Sequence, residues 1–156
     1  ANSVSVRSEK SSIKKALDLA IDTFPFRSEE ERNYINIHAN KDFNFWGSST
    51  ICVHILQNLI KNAINAIQSA NKGSIKVWTE SHDQYNYVYV EDNAVGLDPK
   101  YAEYIFERFS TLEEGFGTGL GLAFCRNAME SMDGTIWCES KEGQYTRFVL
   151  RFKRTS

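Results

Sequence analysis

Gly115-Phe116-Gly117-Thr118-Gly119-Leu120-Gly121-Leu122 is the stretch on which the reading of this chain turns. Glycines at alternate positions make neither a strand nor a helix interior, because each costs backbone entropy and adds no packing. They make a loop whose bare N–H groups can close around phosphate oxygens, above all where a helix begins at its end. Leu122-Ala123-Phe124-Cys125-Arg126-Asn127-Ala128-Met129 reads as that helix. A merely flexible surface loop fits poorly, since Leu120 and Leu122 are interleaved among the glycines. No lysine follows the run, so it is not a P-loop, and the dinucleotide glycine spacing is not matched either. What remains is a Gly-x-Gly-x-Gly turn opening a helix, suited to a polyphosphate.

Upstream lies Asn58-Leu59-Ile60-Lys61-Asn62, inside a segment over 50–70 that reads as a long helix, with Ser48 or Ser49 placed to cap it. At 100° per residue, Asn58, Asn62 and Asn65 fall within about 60° of one another, flanked by His54 and Lys61. Val53, Leu56, Ile60, Ala63, Ile64 and Ile67 occupy the opposite arc. Such amides usually mark solvated surface. Asparagine is nevertheless a mediocre helix former, and its carbonyl oxygen suits a hard cation that phosphates also hold. Between stripe and glycine run stands Asp92-Asn93-Ala94-Val95-Gly96 at the end of an alternating segment. A carboxylate there is often only a turn former. If buried, it offers an acceptor to an adenine amine, and Gly96 lets backbone approach the ring.

The remaining pattern sets the architecture. Helical spacing over 9–24 ends at Pro25, and residues 34–38 and 42–46 alternate like half-buried strands. Residues 74–81 and 85–91 alternate around His82-Asp83-Gln84, an antiparallel hairpin, and Asp92 closes its second strand. Residues 99–109 admit one or two short helical turns, and 110–116 reads as open loop. A helix over 119–132 precedes two further alternating segments, 135–140 and 147–152. Hairpins among helices exclude an all-parallel sheet, so the expected fold is an α/β two-layer sandwich, a mixed sheet covered on one face by helices.

The bulk numbers exclude several functions. The chain has 156 residues, and Lys+Arg 18 against Asp+Glu 20 give a net charge of −2, which leaves no basic field for nucleic acid. No apolar run is long enough for a bilayer, and the three cysteines Cys52, Cys125 and Cys138 lack metal-ligand spacing. They read as reduced core residues of a cytoplasmic protein. Residues 1–8 read as a tag remnant or linker and 9–156 as one domain.

Four motifs, Asn58-x-x-x-Asn62-Ala63, Asp92-x-Ala94-x-Gly96, Ile105-Phe106-Glu107-Arg108-Phe109 and Gly117-Thr118-Gly119-Leu120-Gly121-Leu122, resemble in order and spacing the N, G1, F and G2 boxes of sensor histidine kinases. The resemblance implies the Bergerat (GHKL) fold, with a mixed five-stranded sheet and about three helices, and an ATP-binding catalytic domain. It implies a catalytic set of Asn58, Lys61 and Asn62, with Asn62 as the Mg²⁺ ligand. Nucleotide contacts would come from Asn62, Asn65, Asp92, Gly96, Leu97, Gly117, Thr118, Gly119, Leu120 and Gly121. Residues 97–116 would form the ATP lid. The implied partners are a histidine-bearing dimerisation domain of the same parent protein and a response regulator or receiver domain. The parent would be an inner-membrane sensor with this domain, itself not membrane-inserted, on the cytoplasmic side. His54 and the tail Phe124-Cys125-Arg126-x-x-Met129-Glu130-Ser131 resemble the quorum-sensing hybrid kinases.

Departures sharpen this. Ala94 stands where the family most often has glycine, and the lid is short. Position 58 is Asn, whereas the ATP-hydrolysing relatives place a water-activating Glu there. An amide cannot accept that proton, so transfer to a side chain is favoured over hydrolysis. His38, His54 and His82 all lack the acceptor's context of a helical His followed by an acid. Two rival classes are a gyrase- or Hsp90-type ATP-driven clamp and a degenerate regulatory nucleotide-binding module.

Overall fold

The computed structural model describes residues 9–39, 41–107 and 121–155. The helix expected over 9–24 starts later, because Lys10–Ser12 is a strand, β1, and α1 spans Ile13–Thr23. Ser12 causes the break: its hydroxyl caps α1 by accepting from Lys15 N–H and also bonds the Asp42 carboxylate at 3.0 Å. A short helix that periodicity does not reveal, α2 (Glu29–Asn33), follows Ser28, whose side chain accepts from Glu31 N–H. Acids fill its first turn, where the helix dipole favours them.

β2 (Ile35–His38) and β3 (Asn44–Trp46) follow, then α3 (Ser49–Ala70). Ser48 caps α3 by accepting from Ile51 N–H, and Asn71 ends it in the left-handed region at φ 56°. The hairpin is β4 (Ile75–Ser81) and β5 (Tyr85–Asp92). Two 3-10 turns, Pro99–Tyr101 and Tyr104–Phe106, precede α4 (Gly121–Ser131), β6 (Thr135–Lys141) and β7 (Tyr145–Lys153).

The main sheet is five-stranded and mixed, in the order β2-β4-β5-β7-β6. Only β2 and β4 run parallel. β1 and β3 form a separate antiparallel pair, so the strand around Phe45 does not join the main sheet. Each central strand buries alternate residues: Ile75 and Val77 on β4, Val88 and Val90 on β5, Phe148, Leu150 and Phe152 on β7. These meet the apolar arc of α3, where Leu56, Leu59 and Ile60 are wholly buried, and the buried faces of α1 and α4. α1 and α4 flank α3 on either side. The helix carrying the asparagine stripe is thereby clamped at the centre of the helical layer.

Candidate functional site

The candidate residues lie on three structures: the stripe of α3, the N-terminus of α4, and the loop after β5. The first two are in contact. A Cβ added to Gly121 would lie 2.5 Å from Asn58 Oδ1, so any side chain where α4 begins would push the Asn58 amide aside. Asn58 itself is braced, its Nδ2 donating to the His54 carbonyl at 2.8 Å. The first turn of α4 therefore starts against the amide stripe. The N–H groups that open a helix are the kind of donors that hold anions. Gly117, Thr118, Gly119 and Leu120 lie outside the described residues, as does the lid beyond Glu107.

The stripe divides. Asn58, Lys61 and Asn65 line a groove of 520 Å³ together with Phe24, Pro25, Arg27, His54, Gln57 and Ile64. Asn62 is half-buried but outside that groove, and its side chain makes no hydrogen bond to another described residue. Helical geometry explains the split, since Asn62 sits about 100° around the axis from Lys61. The groove's far wall is tertiary. Gln57 Nε2 donates to the Ala20 carbonyl and to Thr23 Oγ1 at 3.0 Å each, and Arg27 Nη2 donates to Gln68 Oε1 at 2.7 Å. Glu31, 3% exposed, accepts from Gln68 and pairs with Arg27. Sequence reading missed this wall, because nothing local marks residues 24–31 as neighbours of α3.

Asp92 is buried at 4% exposure in the last position of β5. Burial pushes its carboxyl up to about 6, the Ala94 N–H that donates to it at 3.2 Å opposes the rise, and Glu91 adds to it. A carboxylate kept this far from water, with no cation partner among the described residues, is an uncommon arrangement that suits a functional site. The loop that holds it is fixed at both ends. Asn93 Oδ1 accepts from Ser74 N–H at 2.7 Å, and Ser140 Oγ donates to the Leu97 carbonyl at 2.6 Å. Ala94 is 1% exposed and packs in the core, so its methyl is accommodated. Gly96 has φ +70°, and a Cβ there would meet the Lys141 carbonyl oxygen at 2.1 Å. Its glycine is thus required by the β6–β7 turn, a role distinct from the ring approach expected of it.

The described part of the expected lid is anchored. Ile105 and Phe106 are buried, Phe106 meets Phe148 edge-on at 6.0 Å, and Arg126 of α4 covers the Phe106 ring at 4.6 Å. Arg126 also pairs with Glu103. All three cysteines are free and buried, and burial raises each thiol to about 12. The histidines are exposed; His82 bonds Glu80 at 3.1 Å, and the His54 ring lies 6.5 Å from that of Phe124. No helix among the described residues is long and apolar enough to cross a membrane.

A buried carboxylate at a strand end, an amide-faced helix and a glycine-opened helix on a mixed two-layer sandwich define a nucleotide-binding ATPase domain. Residues 47–156 match the histidine kinase-, DNA gyrase B- and HSP90-like ATPase family, and the chain belongs to it. It is 36% identical over 146 residues to the CAI-1 autoinducer sensor kinase/phosphatase CqsS of Vibrio cholerae, covering 94% of this chain and 21% of that protein. It is 33% identical over 141 residues to the autoinducer 1 sensor kinase/phosphatase LuxN of Vibrio campbellii, covering 90% and 17%. This chain thus spans about a fifth of each relative. Among solved structures, the catalytic domain of histidine kinase ThkA superposes with a TM-score of 0.74 at 26% identity, covering 94% of this chain and 97% of that one. The mycobacterial sensor histidine kinase MprB superposes at 0.77 with 18% identity, covering 95% and 99%. The expected two-layer Bergerat sandwich and the family resemblance are both borne out, and the chain is the ATP-binding domain type carried by two-component sensor histidine kinases.

Proposed function

We propose that this domain binds MgATP and donates the γ-phosphoryl to a histidine on a separate dimerisation domain of its parent protein. The observation that supports this most is Asn58 against Gly121: the amide stripe and the start of a glycine-opened helix meet at one place. Asp92 supports the adenine end, since its ionised carboxylate accepts from an exocyclic amine and repels the oxygen that guanine carries there. Asn62 supports the metal end. Its amide has no competing hydrogen bond among the described residues, and Mg²⁺ takes one or two protein oxygens with phosphates and waters. Bound Mg²⁺ supplies charge neutralisation to the phosphates.

The chain's own residues position and exclude. Asn58 cannot take a proton from water, so it supports transfer to an incoming imidazole over hydrolysis. Backbone N–H groups at the α4 N-terminus, with the glycines before it, hold the phosphoryl oxygens while the nucleophile comes into line. Lys61 and Asn65, beside Asn58 in the groove, face the approach. The parent is read as an inner-membrane sensor that passes its phosphoryl group to a response regulator or receiver domain.

Incubation with γ-labelled ATP and the parent's dimerisation domain supplied in trans tests this. Acid-labile label should accumulate on the dimerisation domain, slowly and in proportion to its concentration, and not on this chain alone. Label on this chain that is lost in His54→Ala would make His54 the acceptor and overturn the proposal. Steady-state ATP hydrolysis without any acceptor would return the clamp reading.

A further inference from the structure

The helices cover one face of the sheet. The other face carries a continuous aromatic layer that the nucleotide site does not use. The residues directly opposite one another across β4, β5, β7 and β6 on that side are Trp78, Tyr89, Val149 and Trp137. Trp78 and Tyr89 stack at 4.7 Å with their planes 11° apart, and Tyr87 meets Tyr89 at 6.1 Å and Trp137 edge-on at 6.4 Å. Val149, which points out of this face, is nonetheless 0% exposed, so the rings close over it without any helix above. Each of the rings stays half-exposed.

The charges on this face are unequal in their freedom. The carboxylates on the strands of this face are engaged: Arg147 holds Glu91 at 2.7 Å and Glu139 at 2.9 Å, and Glu80 accepts from Tyr89 and His82. The remaining cations have no carboxylate partner among the described residues. Arg151 lies over Tyr85 at 4.2 Å and over Trp137 at 5.7 Å, and Lys76 over Trp78 at 4.9 Å. Lys153 and Arg154 continue the row into a groove of 670 Å³ that Asp83, Gln84 and Tyr85 also line, so its two cations face a single acid. Trp, Tyr and Arg in a half-buried cluster are the residues that dominate protein interfaces.

We propose that this open face is a docking surface for an acidic protein segment that carries an apolar anchor. The anchor would sit on the Trp78–Tyr89–Trp137 row, and its carboxylates would meet Arg151, Lys76, Lys153 and Arg154. Charge decides among occupants. A second copy would bring the same unpaired cations against themselves. A single-stranded nucleic acid needs open ring faces for its bases, and here neighbouring rings and guanidinium groups already occupy them.

A displayed random-peptide library panned against the chain tests the assignment. Selected peptides should be rich in Asp and Glu around an aromatic or aliphatic residue. Their synthetic forms should bind about tenfold or more weakly to Arg151→Glu and to Trp137→Ala, and lose affinity as salt rises. Lys153→Glu, at an exposed site with no ion pair among the described residues, guards against a variant that fails to fold, and MgATP affinity should be unchanged in all of them. Peptides without acidic enrichment, binding indifferent to Arg151→Glu and Lys153→Glu, or no selected sequence would each overturn the proposal. So would a concentration-dependent dimer in sedimentation that Arg151→Glu abolishes, or a single-stranded oligonucleotide that outcompetes the peptides.

Discussion

Asp92, proposed as the adenine contact, carries a cost to the free domain. Its folded-state value of about 6 lies above the ordinary 3.8, so the folded protein holds the proton more tightly than the unfolded one. Stability therefore falls as pH rises from about 4 to about 6, and the full penalty persists at neutral pH. Asp92→Asn keeps an oxygen for the Ala94 N–H and removes the buried charge. It should stabilise the nucleotide-free domain by roughly 1–2 kcal/mol at pH 7, the gain shrinking toward pH 4 in denaturant titrations. The same change should weaken MgATP by about tenfold or more, because a charge-assisted acceptor is lost. Wild-type affinity should likewise drop as pH falls below about 6, read by calorimetry. Gly96→Ala acts through backbone instead. A left-handed φ and a Cβ directed at the Lys141 carbonyl oxygen should cost upwards of about 2 kcal/mol, seen as a lower denaturation midpoint. The carboxylate was legible in the sequence as a strand-end acid. The packing duty of Gly96 was not, because the turn it touches is some 45 residues further along the chain.

At the scale of the element, α3 is where sequence and structure agree most closely. Its apolar arc, serine cap and amide stripe follow from 3.6-residue periodicity over 22 residues, long enough for the signal to dominate. Ser48→Ala should lower stability by about 1 kcal/mol without changing the fold. Asn62→Ala should leave stability nearly unchanged, since no hydrogen bond among the described residues is lost, while titrations with and without Mg²⁺ become alike. Retained metal dependence in that variant would count against Asn62 as the ligand. Short elements were less legible. β1 has three residues and α2 five, too few for either period to register, and both are set by serine hydroxyls that compete locally for backbone N–H groups. The groove beside Asn58 needs α1, the 24–31 segment and α3 together, so no window of sequence contains it.

For the whole molecule, hairpins and alternation were enough to foresee a mixed sheet with helices on one side. They did not reveal that β3 leaves that sheet for β1, because alternation marks a strand without naming its partner. Nor did they reveal the strand order, in which β7, the last of the described strands, lies between β5 and β6. That order bears on how the protein is made. While a ribosome is still extending the chain, β5 has only β4 beside it and β6 has no neighbour in the main sheet. Two rows of unpaired N–H and C=O groups thus stay open until residues 145–153 emerge. Aspartate 92, across from Thr146, also waits for that last strand to complete its surroundings. A chain halted before residue 145 should therefore bind no MgATP and aggregate through its open edges, measurable by stalling translation at successive lengths and probing with protease. Nucleotide competence is therefore expected only once β7 has emerged, so a transcript cut short of residue 145 should yield no half-active domain.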